Sequence, residues 1–197
     1  SPSDPIINGG LLHAIIGTGL LVAFALVISV PLGILTALYL TEIRGRFTRP
    51  IKFLVQAMSG IPSIVAGLFI LAAIVYPFTK SYNGIVGSLA LSILMIPTVA
   101  RTSEEVLRLI PSELREAGVA LGGTQWRTVA MVVVPAARSG LVTAMILGIA
   151  RIAGETAPIL LLTGGGDSVN TNMFHGSMGS LPFYIFSGLT TGTDESI

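Results

Sequence analysis

Long apolar stretches alternate along the chain with short polar ones rich in Arg. Residues 11–40 contain no Asp, Glu, Lys or Arg, and a helix needs about 20 apolar residues to cross a bilayer. The run predicts a membrane span, with Pro31 and Gly33 inside it as kink positions. Residues 53–78 predict a second span, 85–100 a third that ends near Pro97, and 139–163 a fourth. Only the fourth carries charge, at Arg151 and Glu155. Beyond Gly164 the sequence turns to Gly, Ser, Thr and Asn, and its one apolar piece, 181–189, is too short to span.

Two polar segments, 41–52 and 101–138, join these runs on one side. The second is too long for a simple connector and predicts short helices. Thr102 and Glu105 have the spacing of a capping box at the start of one. Pro111 separates it from the next, where Ser112 suits the N-cap and Glu113 the positive end of the helix dipole. On that second helix Leu114, Ala117, Gly118 and Leu121 share one face, Glu113 and Glu116 another. Gly122-Gly123 supplies a C-terminal stop, and Thr124 opens a further helix with Trp126 at the level of a membrane interface. By periodicity alone the segment is either an amphipathic connector on the membrane or a docking helix for a cytoplasmic partner.

Composition narrows the class. Of 197 residues, 52% are hydrophobic and 11% charged, with a mean hydropathy of +0.84; soluble domains carry about 25% charged residues. Neither a soluble globule nor a disordered chain fits, and an all-α integral membrane protein does. The net charge of +1 leaves no basic footprint for nucleic acid. With no cysteine there is no disulfide, thiolate metal site or Cys nucleophile. The start, SPSDP without Met, reads as processed or cut, and no signal peptide is visible. Arg44, Arg46, Arg49 and Lys52 lie in segment 41–52, and Arg101, Arg108, Arg115, Arg127 and Arg138 in segment 101–138. Two spans separate these segments, so they share a side. Together they hold nine of the eleven Lys and Arg residues, which makes that side cytoplasmic and puts both chain ends and the loop 164–197 outside.

Arg151 and Glu155, four residues apart, would share a helix face and meet as an ion pair. Counted from Ser139 at about 1.5 Å per residue, Arg151 lies roughly 18 Å into a core about 30 Å thick. A charge there is costly unless it faces protein or water. One reading is a structural pair that locks two helices together. The other is an anion site, because the guanidinium fork suits phosphate oxygens and Glu155 would keep the binding weak enough for release. Pro158 cannot donate to the Gly154 carbonyl, which opens polar backbone or merely kinks the helix. Pro62-Ser63 either presents backbone and a hydroxyl to a pathway or forms a kink with Ser63 bonded to its own helix. His13 reads as a membrane-interface residue and His175 as a loop residue, neither with metal-ligand company, so no metal or cofactor is expected.

A resemblance sharpens these readings. Glu116-Ala117-Gly118, three residues, Gly122, nine residues, then Val132-x-Val134-Pro135 resembles the EAA loop of ABC importer permeases. Gly118 stands where that pattern has a second Ala. Residues 60–69, GIPSIVAGLF, resemble the G-x-P-S-I-V-x-G-L-F segment of phosphate permeases, and 150–158, ARIAGETAP, the A-R-x-x-G-E-T-A-P segment of their A-type subunit. Gly9-Gly10 through Gly17-Thr18 also fits. The chain thus resembles the A-type permease subunit of Pst-type phosphate ABC importers. The resemblance implies a polytopic helical bundle of the type I ABC importer permease kind, a single transmembrane domain over 1–197, in a prokaryotic plasma membrane. Such permeases usually have six spans, so the first and last are expected to be missing here. Glu116, Ala117, Gly118 and Gly122 would couple to an ATP-binding subunit dimer. Arg151, Glu155, Thr156, Pro62 and Ser63 would line the substrate pathway. A second, C-type permease subunit, an external phosphate-binding protein and membrane lipid complete the implied partners. The chain has no G-x4-G-K-[ST], so ATP would be hydrolysed on a partner. Another oxyanion, molybdate or sulfate, is the alternative cargo. A membrane-embedded enzyme is disfavoured by the lack of H-E-x-x-H, G-x-S-x-G and paired intramembrane carboxylates.

Overall fold

The computed structural model describes residues 11–43, 45–165 and 170–191. Gly9, Gly10 and Arg44, and part of the loop 164–197, lie outside them. The described residues are helical, apart from turns and an isolated bridge between Gly164 and Met178. In chain order the helices are α1 (Leu12–Leu38), α2 (Thr48–Ser59), α3 (Ser63–Ile70), α4 (Gly84–Arg108), α5 (Ser112–Ala120), α6 (Gln125–Thr128), α7 (Val134–Ala153), α8 (Ala157–Leu162) and α9 (Leu181–Thr191). π-Helical turns Tyr39–Ile43, Leu71–Thr79 and Val129–Val133 extend α1, extend α3 and lead into α7.

Leu12–Ile43, Gly84–Arg108 and Gln125–Ala153 are each long and apolar enough to cross a membrane. The expected second span is not continuous. Gly60 to Pro62 breaks it into α2 and a segment Ser63–Thr79. Pro62, with φ −59° and ψ 139°, is extended and stands as the N-cap of α3, where its missing N–H costs no helical hydrogen bond. α2 is amphipathic, with Val55 as its buried residue. The third span does not stop near Pro97 but runs through it to Arg108. Membrane helices tolerate an internal Pro where neighbours pack around it, and here Met95, Val99 and Ala100 are fully or almost fully buried. The capping box expected at Thr102 and Glu105 therefore lies inside a helix. Burial of Ser103, Glu104 and Leu107 carries the helix past it. The fourth span is broken too, at Gly154 to Thr156, between α7 and α8.

The chain forms two compact units. Among the described residues, one comprises 11–27, 61–94, 150–165 and 170–191. Its core holds Ile70, Val75, Val86, Ala90 and Leu162. His13 belongs to this unit and is buried, its ring edge-on to that of Tyr184 at 5.7 Å; His175 is exposed in a loop, as expected. The other comprises Ile28–Gly60 and Met95–Ile149, cored by Ala37, Leu107, Val133, Ala137 and Leu141. Small residues set the spacing of its helices. A Cβ at Gly33 would stand 2.7 Å from Val99, and one at Gly148 2.9 Å from the same side chain. Only Gly on both α1 and α7 lets α4 pack this closely, the means by which membrane helices gain dispersion contact.

Candidate functional site

Two features expected from the sequence occupy different units. The first is α5. It follows Pro111, which caps it from the extended region with no side-chain hydrogen bond, so the N-cap is Pro111 and not Ser112. None of its residues is buried. Glu116 and Ala117 are exposed, and so are Leu114, Val119 and, beyond the helix end, Leu121 at 90%. Its stop is a Schellman motif. The Gly123 N–H donates to the Gly118 carbonyl at 3.2 Å and the Gly122 N–H to that of Val119 at 2.9 Å, with Gly122 left-handed at φ +82°. A Cβ at Gly122 would meet nothing within 4 Å. The requirement for Gly there is backbone conformation, not room. Gly118 is the reverse case. A Cβ there would stand 2.5 Å from Thr128 Cγ2, so the substitution of Gly for Ala in the EAA pattern matches a close approach of α5 to α6. Thr124 caps α6 as expected, accepting from the Arg127 N–H at 3.4 Å.

The sequence reading missed what holds α5. Arg115 turns inward and grips Glu42 with both arms of its fork. Nε lies 3.1 Å from each Glu42 oxygen and Nη2 2.9 Å from Oε1. Its remaining N–H groups donate to the carbonyls of Ile110 at 2.7 Å and Leu107 at 2.9 Å, at the end of α4. Gln125 donates to the Glu42 carbonyl at 2.7 Å. Only 7% of the Glu42 side chain is exposed, so the carboxylate depends on Arg115. α1, α4, α5 and α6 thus converge on one carboxylate. Glu42 is the first charge after the longest uncharged run, the signal that was available.

The second feature is the pair of helix breaks in the other unit. α3 and α8 pack together at Gly67, where a Cβ would stand 3.0 Å from Pro158 Cα. Each begins directly after a break. Pro62 and Ser63 open α3, and Thr156 is the N-cap of α8, without a side-chain cap bond. Arg151 lies in the last turn of α7 and is exposed; Glu155 lies beyond the helix end, partly exposed. The expected ion pair on one helix face is not formed. The ion pairs among the described residues are Lys52–Glu104, Arg108–Glu104 and Arg115–Glu42. With α7 ending at Ala153, the spacing that joins residues four apart no longer holds. Pro158 sits near the start of α8, where no helical N–H is needed.

Spans built of packed helices, two of them broken, and an exposed helix clamped by a buried ion pair define a polytopic membrane protein of the importer-permease fold. The chain belongs to the family described as binding-protein-dependent transport system inner membrane component, whose model matches residues 29–192. It is 45% identical over 183 residues to "Phosphate transport system permease protein PstA 1" of Mycobacterium tuberculosis strain H37Rv, covering 92% of this chain and 59% of that protein. It is 42% identical over 182 residues to "Phosphate transport system permease protein PstA" of Pasteurella multocida, covering 91% and 64%. The chain therefore spans about three-fifths of the length of these curated relatives. Among solved structures it is similar to a chain of the MetNI methionine ABC transporter in inward-facing conformation. The TM-score is 0.71 at 23% identity, over 98% of this chain and 86% of that one.

Proposed function

We propose that the chain forms part of the transmembrane pathway of an ATP-driven phosphate importer and couples through α5 to a separate ATPase subunit. The observation that carries this is α5 itself. It is unburied along its whole length, its Leu114, Ala117 and Leu121 uncovered, yet it is held by a clamped Arg115 and ended by a Schellman turn. A helix fixed this firmly with a bare apolar face suits a rigid partner. The phosphate cargo rests on the relatives named above. On this reading the partners are an ATP-binding dimer, a second permease subunit and an external phosphate-binding protein. Arg151, Glu155, Thr156, Pro62 and Ser63 are the pathway residues, set where helices break and free backbone groups are available to an anion. Segment 41–52 and the loop following α4 are joined through Glu42 and Arg115 and share a side, which we assign to the cytoplasm from their Arg content.

The test is ATP-dependent uptake of labelled phosphate and sulfate by the complex reconstituted in vesicles. Phosphate uptake that sulfate does not compete away supports the reading; uptake of sulfate or molybdate instead overturns the cargo. Arg151→Ala should assemble and unfold like the parent, since no ion pair is lost, while phosphate uptake falls at least about tenfold. Arg151→Lys should recover part of it, a point charge replacing a fork. Uptake by Arg151→Ala at the parent level would remove this residue from the pathway.

A further inference from the structure

Segment 41–52 and the end of α4 enclose a feature that neither coupling nor the pathway uses. Arg46, Arg49 and Arg108 line one open cavity of about 580 Å³, together with Leu40, Thr41 and Thr48, and no carboxylate among the described residues lines it. Arg108 is paired with Glu104. Arg46 and Arg49 take part in no ion pair among the described residues. The two hydroxyls are committed to backbone, Thr41 to the Ala37 carbonyl and Thr48 to that of Gly45. Among the side chains of the lining residues, the remaining donors are the guanidinium groups. α2 begins beside them with Phe47 as N-cap, no side-chain cap bond and no acidic residue in its first turn, so its positive end adds to the same field.

We propose that this cavity is a binding site for a phosphate group, distinct from the transport pathway. With Arg108 held by Glu104, Arg46 and Arg49 keep two positive charges at one cavity that no ion pair among the described residues offsets. Their forks match phosphate oxygens two at a time. The source the surroundings favour is an anionic phospholipid headgroup. Phe47, Phe53 and Leu54 are 59%, 74% and 57% exposed along the amphipathic α2, and Arg46 lies over the Phe47 ring at 5.9 Å. Free inorganic phosphate needs no such apolar rim, whereas acyl chains do. The other source of the same chemistry is free phosphate on that face of the membrane.

The experiment uses the whole transporter complex and has two arms. In the first, native mass spectrometry counts phosphatidylglycerol retained after mild delipidation and titration, with phosphatidylcholine as the neutral comparison. In the second, equilibrium binding of labelled inorganic phosphate is measured on the delipidated complex without the binding protein. Arg46→Ala/Arg49→Ala should hold one phosphatidylglycerol fewer per copy of this chain, or bind it about tenfold more weakly. Phosphatidylcholine retention should be unchanged. Lys80→Ala, which removes a basic residue outside the cavity, should match the parent. Arg46→Lys/Arg49→Lys keeps the charge without the forks and should fall between; it carries the test should the alanine variant fail to assemble. Loss of a labelled-phosphate site with unchanged lipid retention would uphold the phosphate site and assign its source to free phosphate. Parent-level values for the double variants in both arms would overturn the proposal.

Discussion

Arg115 and Gly122 show how single residues set the geometry of α5. Arg115 satisfies a carboxylate that is almost fully buried, and its other donors take up carbonyls at the end of α4. Removing one partner of a buried pair leaves the other charge stranded, a loss of about 3–5 kcal/mol for fully buried pairs. Arg115 keeps 28% of its side chain exposed, so a smaller loss, about 2–3 kcal/mol, is expected for Arg115→Ala. It should appear as a lower thermal unfolding midpoint of the purified complex. Glu42→Gln/Arg115→Gln should recover part of it, since no unpaired charge remains. Gly122 contributes through its left-handed backbone alone. Gly122→Ala should weaken ATPase recruitment and destabilise α5 by about 1 kcal/mol, and Gly122→Asn by less, because Asn tolerates that conformation. Equal behaviour of the Ala and Asn variants in a pull-down of the ATPase subunit would show that backbone strain is not what Gly122 relieves.

At the scale of elements, the proposed pathway rests on the breaks at Gly60–Pro62 and Gly154–Thr156 rather than on the helices they interrupt. A continuous helix satisfies its own backbone and offers a passing anion nothing. Ending α7 at Ala153 and restarting at Ala157 leaves first-turn N–H groups without helical partners, and α3 restarts in the same way after Pro62. Close packing of α3 on α8 depends on Gly67. Gly67→Leu should force these two elements apart and abolish uptake, while α5, in the other unit, still binds the ATPase. α5 presents the opposite design, an intact short helix with its apolar side bare. Leu114→Asp should leave membrane insertion and the unfolding midpoint near the parent, since the residue is 41% exposed. Phosphate-stimulated ATP turnover should fall severalfold; unchanged turnover would mean that this face is not the docking surface.

For the molecule as a whole, the joining of two basic segments through Glu42 constrains the topology. α4 leads from Gly84 to Arg108 and is the most buried of the apolar helices, with 67% of its apolar window inside the protein. If it crosses the bilayer and both basic segments lie at its end, the broken stretch Thr48–Thr79 must also cross. Introduced cysteines check this, because the parent has none. In whole cells a membrane-impermeant thiol reagent should label Ser81→Cys, which follows that stretch, and spare Ser112→Cys, at the start of α5. Labelling both or neither would place the two on one side and refute the crossing.

Hydrophobic runs and Arg placement determined by themselves that this is a membrane-spanning helical protein, because apolar length and charge asymmetry are properties of sequence that no packing can reverse. The glycine stop at Gly122 and the N-cap at Thr124 were legible for the same reason, since each depends on a few consecutive residues. Where helices continue or stop inside the membrane was decided by tertiary structure. Pro97 was read as an end and is not one, because packing supports the helix around it; residues 151–155 were read as one helix and are not. The partner of Arg115 was beyond reach, since Glu42 lies 73 residues away and only the packing of α1 against α4, α5 and α6 brings the two charges together. Long-range contacts of this kind leave no period in the sequence, whereas helices, caps and spans do.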